Sequence, residues 1–187
     1  MTLYSIALFL HVVGALLLFA SLTLEGIALR QMRRAAIPGE AQGARAILRL
    51  NRIIGPASLV GVLVPGLYMM ATTWGWVAWI VVALAAYVLI AVFGAVNGIR
   101  IQALESKLAA ESVPPSQALG DRLVDPRLVA FWCGRVGIAT GVVFLMTVKP
   151  GVVVAVLAVV FGAALGVALS ASFWTRGPAA MPAGRDN

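Results

Sequence analysis

The sequence is short of nearly everything a soluble enzyme relies on. It holds one cysteine, Cys133, and one histidine, His11, and only 11% of its 187 positions are charged. A single cysteine excludes an intramolecular disulfide and a cysteine-rich metal site. A single histidine excludes bis-histidine haem ligation within one chain. No Ser/His/Asp set, HExxH pair, Walker loop or pair of intramembrane carboxylates is present. A soluble domain is about a quarter charged, so the chain falls far outside that class.

What fills the sequence is apolar: 61% of residues are hydrophobic. Long uncharged runs alternate with short segments that carry nearly all the Arg and Lys, as expected when lipid solvates most of the surface. Five runs are long enough to cross about 30 Å of hydrocarbon at about 1.5 Å per residue. The spacing predicts membrane helices over about Leu3–Leu24, Ile53–Thr72, Val77–Ile99, Leu128–Val148 and Val152–Trp174, forming one all-α transmembrane domain over residues 1–187. The N-terminus lacks a basic n-region, and its apolar run is too long for an h-region, so a spanning helix is expected there and not a signal peptide. Pro56 falls in the first turn of the second span, and Pro65 lies inside it, where it should kink the helix.

Charge sets the expected orientation. Arg30, Arg33, Arg34, Arg45, Arg49, Arg52, Arg100, Lys107, Arg122, Arg127, Arg176 and Arg185 all fall on one side, and Lys149 falls on the other. Twelve cations against one predict an outside N-terminus and a cytoplasmic C-terminus. Trp74, Trp76 and Trp79 mark the opposite, outer interface. Glu40–Asn51 should extend the second helix below the membrane, with Arg45, Arg49 and Arg52 on one side. The net charge of +7 sits beside apolar spans, so anionic lipid headgroups are the expected partner of the Arg-rich inner loop, and nucleic acid is not. Ile101, Leu104 and Leu108 should continue the third helix until Pro114 and Pro115 end the segment. Arg greatly outnumbers Lys and Ala, Gly and Val are abundant, as in a GC-rich bacterial genome, so the expected location is a bacterial inner membrane.

Few side chains could carry chemistry. His11 lies near mid-membrane in the first span, a depth at which ionisable groups face the bundle or a cavity. Neutral imidazole there can ligate haem iron, shuttle a proton or hydrogen-bond across helices. Gly14, Leu18, Ser21 and Glu25 follow on the same face. The small Gly14 suits a close neighbour or a flat cofactor. Glu25 reads first as a headgroup-level acid. Arg135 lies about 10 Å inside the inner boundary and must snorkel, pair with Glu25 or meet a cofactor carboxylate such as a haem propionate. Met69 and Met146 are candidate second axial ligands or core filler. Gly94/Gly98, Gly137/Gly141 and Gly162/Gly166 each form GxxxG, for close packing within the bundle or across a homodimer or other partner interface. A loose echo between Leu67–Thr72 and Val142–Thr147 raises a duplicated hairpin.

Leu10-His11-Val12-Val13-Gly14-Ala15-Leu16-Leu17-Leu18-Phe19 resembles the first helix of an uncharacterised bacterial integral-membrane family, and Met146-Thr147-Val148-Lys149-Pro150-Gly151 is similar to a later helix end of that family. The early histidine also resembles that of the HemJ and CopD-like groups. That resemblance implies haem b on His11 and, for the HemJ group, a haem-linked protoporphyrinogen oxidase; His11 is the position that carries over. The residues leave three expectations open: a haem-b or quinone-linked membrane protein, a non-catalytic subunit or assembly factor binding through glycine faces, and a small transporter lined by His11, Arg135 and the Pro65 kink.

Overall fold

The computed structural model describes residues 2–34, 40–110 and 126–175. They form five helices: α1 Leu3–Arg34, α2 Glu40–Met69, α3 Ala78–Ala110, α4 Pro126–Val148 and α5 Val152–Thr175. All five are long and apolar enough to span a membrane. No strand occurs among the described residues. The chain is a multi-pass membrane protein, and its exposed surface agrees: α5 turns Val153, Leu157, Val160, Phe161 and Leu169 outward. Water would penalise such a face, whereas lipid tails accept it.

Three helices run past their apolar cores. At 32 residues α1 is about 48 Å long, well beyond the hydrocarbon thickness. Its Arg-bearing end continues to Arg34, and α2 starts at Glu40, as the Glu40–Asn51 segment predicts. Beyond the apolar spans these two ends pack together. Ala28, Leu29 and Met32 of α1 meet Ala44 and Leu48 of α2, with Ile101 and Val129 closing the cluster. Arg49 and Arg52 stand on the exposed side of α2. The early start also moves Pro56: it lies inside α2 and not in its first turn. The α-helical part of α2 ends in a π turn, Met70–Trp74, which periodicity does not predict. The expectations for Pro114, Pro115, Arg122 and the tail lie outside the described residues.

The packing order differs from the chain order. The close pairs are α1 with α2 and α4 with α5, and α3 rests mainly on α4. By contrast α2 and α3, though joined by a short outer turn, touch sparsely. The two hairpins suggested by the Leu67–Thr72 echo therefore do not share one packing geometry. The α4 span is the most enclosed, with 44% of its window buried against 17–28% for the others. Leu18, Leu22, Ile90, Ile138, Leu145 and Val159 form the main core around it.

Two GxxxG patterns account for the α4–α5 pair. Gly137 lies against the Gly162 backbone, Gly141 against Ala158, and Gly166 against Cys133. Such close approach maximises dispersion contact where no hydrophobic drive exists between helices. The third pattern behaves differently, because Gly98 has nothing nearby and Gly94 faces the Arg135 guanidinium. Gly14 and Gly61 bring α1 and α2 together in the same way. At the opposite end of the bundle Trp74 stacks edge-on with Trp79, its ring centroid 5.8 Å away, and reaches Tyr4 Oη at 3.4 Å. Lys149 Nζ stands 4.1 Å over the Trp74 ring. This aromatic collar ties the outer ends of α1, α3 and α4 to the π turn.

Candidate intramembrane sites

Two polar sites lie inside the apolar spans, at different depths. The inner one is built on α1, α3 and α4. Glu25, expected at headgroup level, is instead buried, and its Oε2 accepts a 2.6 Å bond from Arg135 Nη1. Of the three expectations for Arg135, snorkelling, pairing with Glu25 or meeting a cofactor carboxylate, the structure shows the pair. Gly94 makes room: a Cβ there would stand 2.9 Å from an Arg135 terminal nitrogen. Asn97, fully buried one turn along α3, donates its amide to Glu25 Oε1 and to the Leu128 carbonyl, both at 3.2 Å. Trp132 adds a further tie, donating to the Leu22 carbonyl of α1 at 2.7 Å with its ring against Gly26. Together these bonds lock α1, α3 and α4 at one level.

The lock is not fully matched. Asn97 Oδ1 and Arg135 Nε are buried without a hydrogen-bond partner among the described residues. Each such group carries a desolvation cost, so the cluster is not tuned for stability alone. Asn97 escaped the sequence reading because that reading ranked ionisable groups. A usable signal existed, since Asn97 is the single Asn or Gln within Val77–Ile99.

The outer site is His11. Its Nδ1 lies 2.8 Å from the Val62 carbonyl oxygen of α2, a group that can only accept, so Nδ1 carries the proton. Pro65 lacks the N–H that would bond to the carbonyl of Gly61, the residue before Val62. Gly66 sits 3.1 Å from the imidazole by the same Cβ measure, so any larger residue would crowd the ring. In the neutral imidazole this tautomer leaves the lone pair on Nε2, which makes no hydrogen bond among the described residues. Gly14, one turn along, is filled by the Gly61 backbone and leaves no room there for a flat cofactor. Met69 is buried on the α2 face that runs Val62, Gly66, Met69. Met146 packs on the central core instead.

The two sites do not meet. Glu25 is fourteen residues beyond His11 on α1, about 21 Å along the axis. Arg135 sits at the Glu25 level, too far for a single porphyrin to span from an iron on His11 to a propionate on Arg135. Among the described residues no group of three His, Cys, Asp or Glu could hold a metal ion. Ser21 Oγ donates to Asn51 Oδ1 at 2.7 Å, a further α1–α2 tie between the two levels. No family model matches the chain, and neither does a curated protein or a solved structure.

Proposed function

We propose that the chain is a bacterial inner-membrane protein that binds haem b through His11 Nε2, in keeping with its resemblance to haem-linked membrane families. One observation carries this reading: the Nδ1–Val62 hydrogen bond fixes the tautomer and aim of a mid-membrane imidazole. Metal-bound histidines are held in the same way, by a carbonyl on the second ring nitrogen. Haem bound there would supply one-electron chemistry. The protein would hold the iron through His11, whose imidazole Val62 and Gly66 position, with Met69 or His11 of a second copy as a candidate further ligand. Arg135 serves the fold through Glu25 and not the cofactor.

The test is optical. Protein purified after expression with ample haem should show a Soret band, His11→Ala should abolish it, and Met69→Leu should shift it. Arg135→Lys should leave it in place. A protein that stays colourless and takes up no added haemin would overturn the proposal.

The second reading is a non-catalytic membrane subunit. It is favoured by the mutual pairing of Glu25 and Arg135, which makes them a structural lock. The glycine faces of α4 and α5 are already used within the chain. A partner would therefore dock elsewhere. A transport pathway through His11 and Arg135 would have to join levels about 21 Å apart.

For orientation, we propose an outside N-terminus, from the cation bias. Reporter fusions at Gly39, Trp76, Pro114 and the C-terminus should read in, out, in, in. The reverse pattern would overturn the orientation, and an outside C-terminus alone would mean that α5 does not span.

A further inference from the structure

Each helix that carries a residue of the lock brackets it with buried apolar side chains. On α1 Leu22 and Leu29 stand either side of Glu25, on α3 Ile90 and Ile101 either side of Asn97, and on α4 Val129 and Ile138 either side of Arg135. Leu22, Ile90 and Ile138 belong to the main core, whereas Leu29, Ile101 and Val129 belong to the second apolar cluster. The lock is therefore a polar layer between two apolar ones. Asn97 is completely buried, and Glu25 and Arg135 are only 4% and 7% exposed.

Within this layer one donor and one acceptor are unmatched. Arg135 Nε can only donate and Asn97 Oδ1 can only accept, and neither has a hydrogen-bond partner among the described residues. Turning the Asn97 amide over would not help, because its Nδ2 already serves two acceptors, Glu25 Oε1 and the Leu128 carbonyl. The two atoms share a neighbourhood. Nε lies 3.4 Å from the Cβ position at Gly94, and Gly94 and Asn97 are one turn apart on the same face of α3. Both side chains also bond the same carboxylate, Asn97 at Oε1 and Arg135 at Oε2. A carboxylate oxygen can accept more than one such bond.

The chemistry of these atoms selects the ligand. A bare cation would suit Asn97 Oδ1 but be repelled by the guanidinium, and a bare anion would suit Arg135 Nε but be repelled by Glu25. The charges of Glu25 and Arg135 cancel, so the layer favours neither ion. An apolar chain would leave both atoms unbonded. Water accepts and donates at once, and a buried water typically bonds about three polar groups. We propose that the lock binds a buried water, which accepts from Arg135 Nε, donates to Asn97 Oδ1 and gives its other hydrogen to a Glu25 oxygen. This water is a working part of the joint among α1, α3 and α4. It offsets the desolvation cost of the two atoms and links Asn97 to Arg135, which do not bond each other directly. The site is independent of the haem reading, which concerns His11.

Solid-state NMR of the protein in lipid bilayers tests this, with arginine labelled at nitrogen and a gadolinium chelate in the buffer to erase signals from accessible water. The Arg135 Nε resonance, identified by its absence from Arg135→Lys, should show a cross-peak to water protons that survives the chelate. The exposed Arg30 and Arg49 should lose theirs. Asn97→Leu removes the acceptor and fills its place, so the Arg135 cross-peak should vanish while the Arg135 resonance remains. The wild-type spectrum decides alone if Asn97→Leu does not fold. Protein that binds no haem serves equally well. Absence of the cross-peak in the wild type would overturn the proposal, as would its erasure by the chelate or its persistence in Asn97→Leu. A cross-peak to protons of a molecule other than water would overturn it too.

Discussion

Arg135→Leu is expected to destabilise the protein by about 3–5 kcal/mol, and Glu25→Leu by a similar amount, because each leaves one buried charge without its counter-charge. The 2.6 Å pair is buried among α1, α3 and α4, where lipid offers no partner. Removing both charges should behave otherwise. The Glu25→Leu, Arg135→Leu double variant should recover most of the loss, since no isolated charge remains and two aliphatic side chains fill comparable space. Asn97 would keep its bond to the Leu128 carbonyl in that variant. Reversible unfolding in mixed micelles gives the four free energies of the cycle. Additive losses would mean that the two residues do not act on each other, and the lock would be refuted.

Gly137→Ala should be nearly as damaging. Its new Cβ would overlap the Gly162 carbonyl, a backbone atom that no rotamer change can move aside. Relief requires the α4 and α5 axes to separate, which opens the contact along its length, and the cost should reach about 3 kcal/mol. Gly98→Ala belongs to the same sequence pattern and should be neutral or slightly stabilising, because nothing lies within 4 Å of its Cβ position and alanine favours the helix. Thermal stability by size-exclusion recovery separates the two. Equal tolerance of both changes would show that α4 and α5 are not in direct backbone contact.

That contrast shows how far the sequence could be read. The five spans were legible because each needs only an apolar run of sufficient length, a local property. The extension of α2 back to Glu40 was legible for a similar reason, the lack of a breaker. Which glycines touch which helices was not legible. Gly94, Gly98, Gly137 and Gly162 look alike in the chain, and only the bundle decides that one seats a guanidinium, one faces nothing and two meet each other. Glu25 shows a related limit. Beside an Arg cluster it reads as an interfacial acid, because sequence distance to Arg30 is short while Arg135 is 110 residues away. Asn97 was missed because only ionisable groups were weighed, although a lone amide in an apolar span was there to read. His11 was conspicuous as the lone histidine, but the Val62 carbonyl that orients it could not be inferred from composition or period.

The 110-residue separation has a consequence for how the protein is made. Chains emerge from the ribosome at about 5–20 residues per second, so α4 follows Glu25 by roughly 5–20 s. Through that interval α1 and α2 can already close their own contacts, His11 to Val62 and Ser21 to Asn51. Glu25 does not yet have Arg135 to meet, and its cheapest position is at the headgroups. The bond between Glu25 and Arg135 therefore closes only after the most enclosed span has been made. A contact that joins the first helix to the fourth is one of the last the growing chain can form.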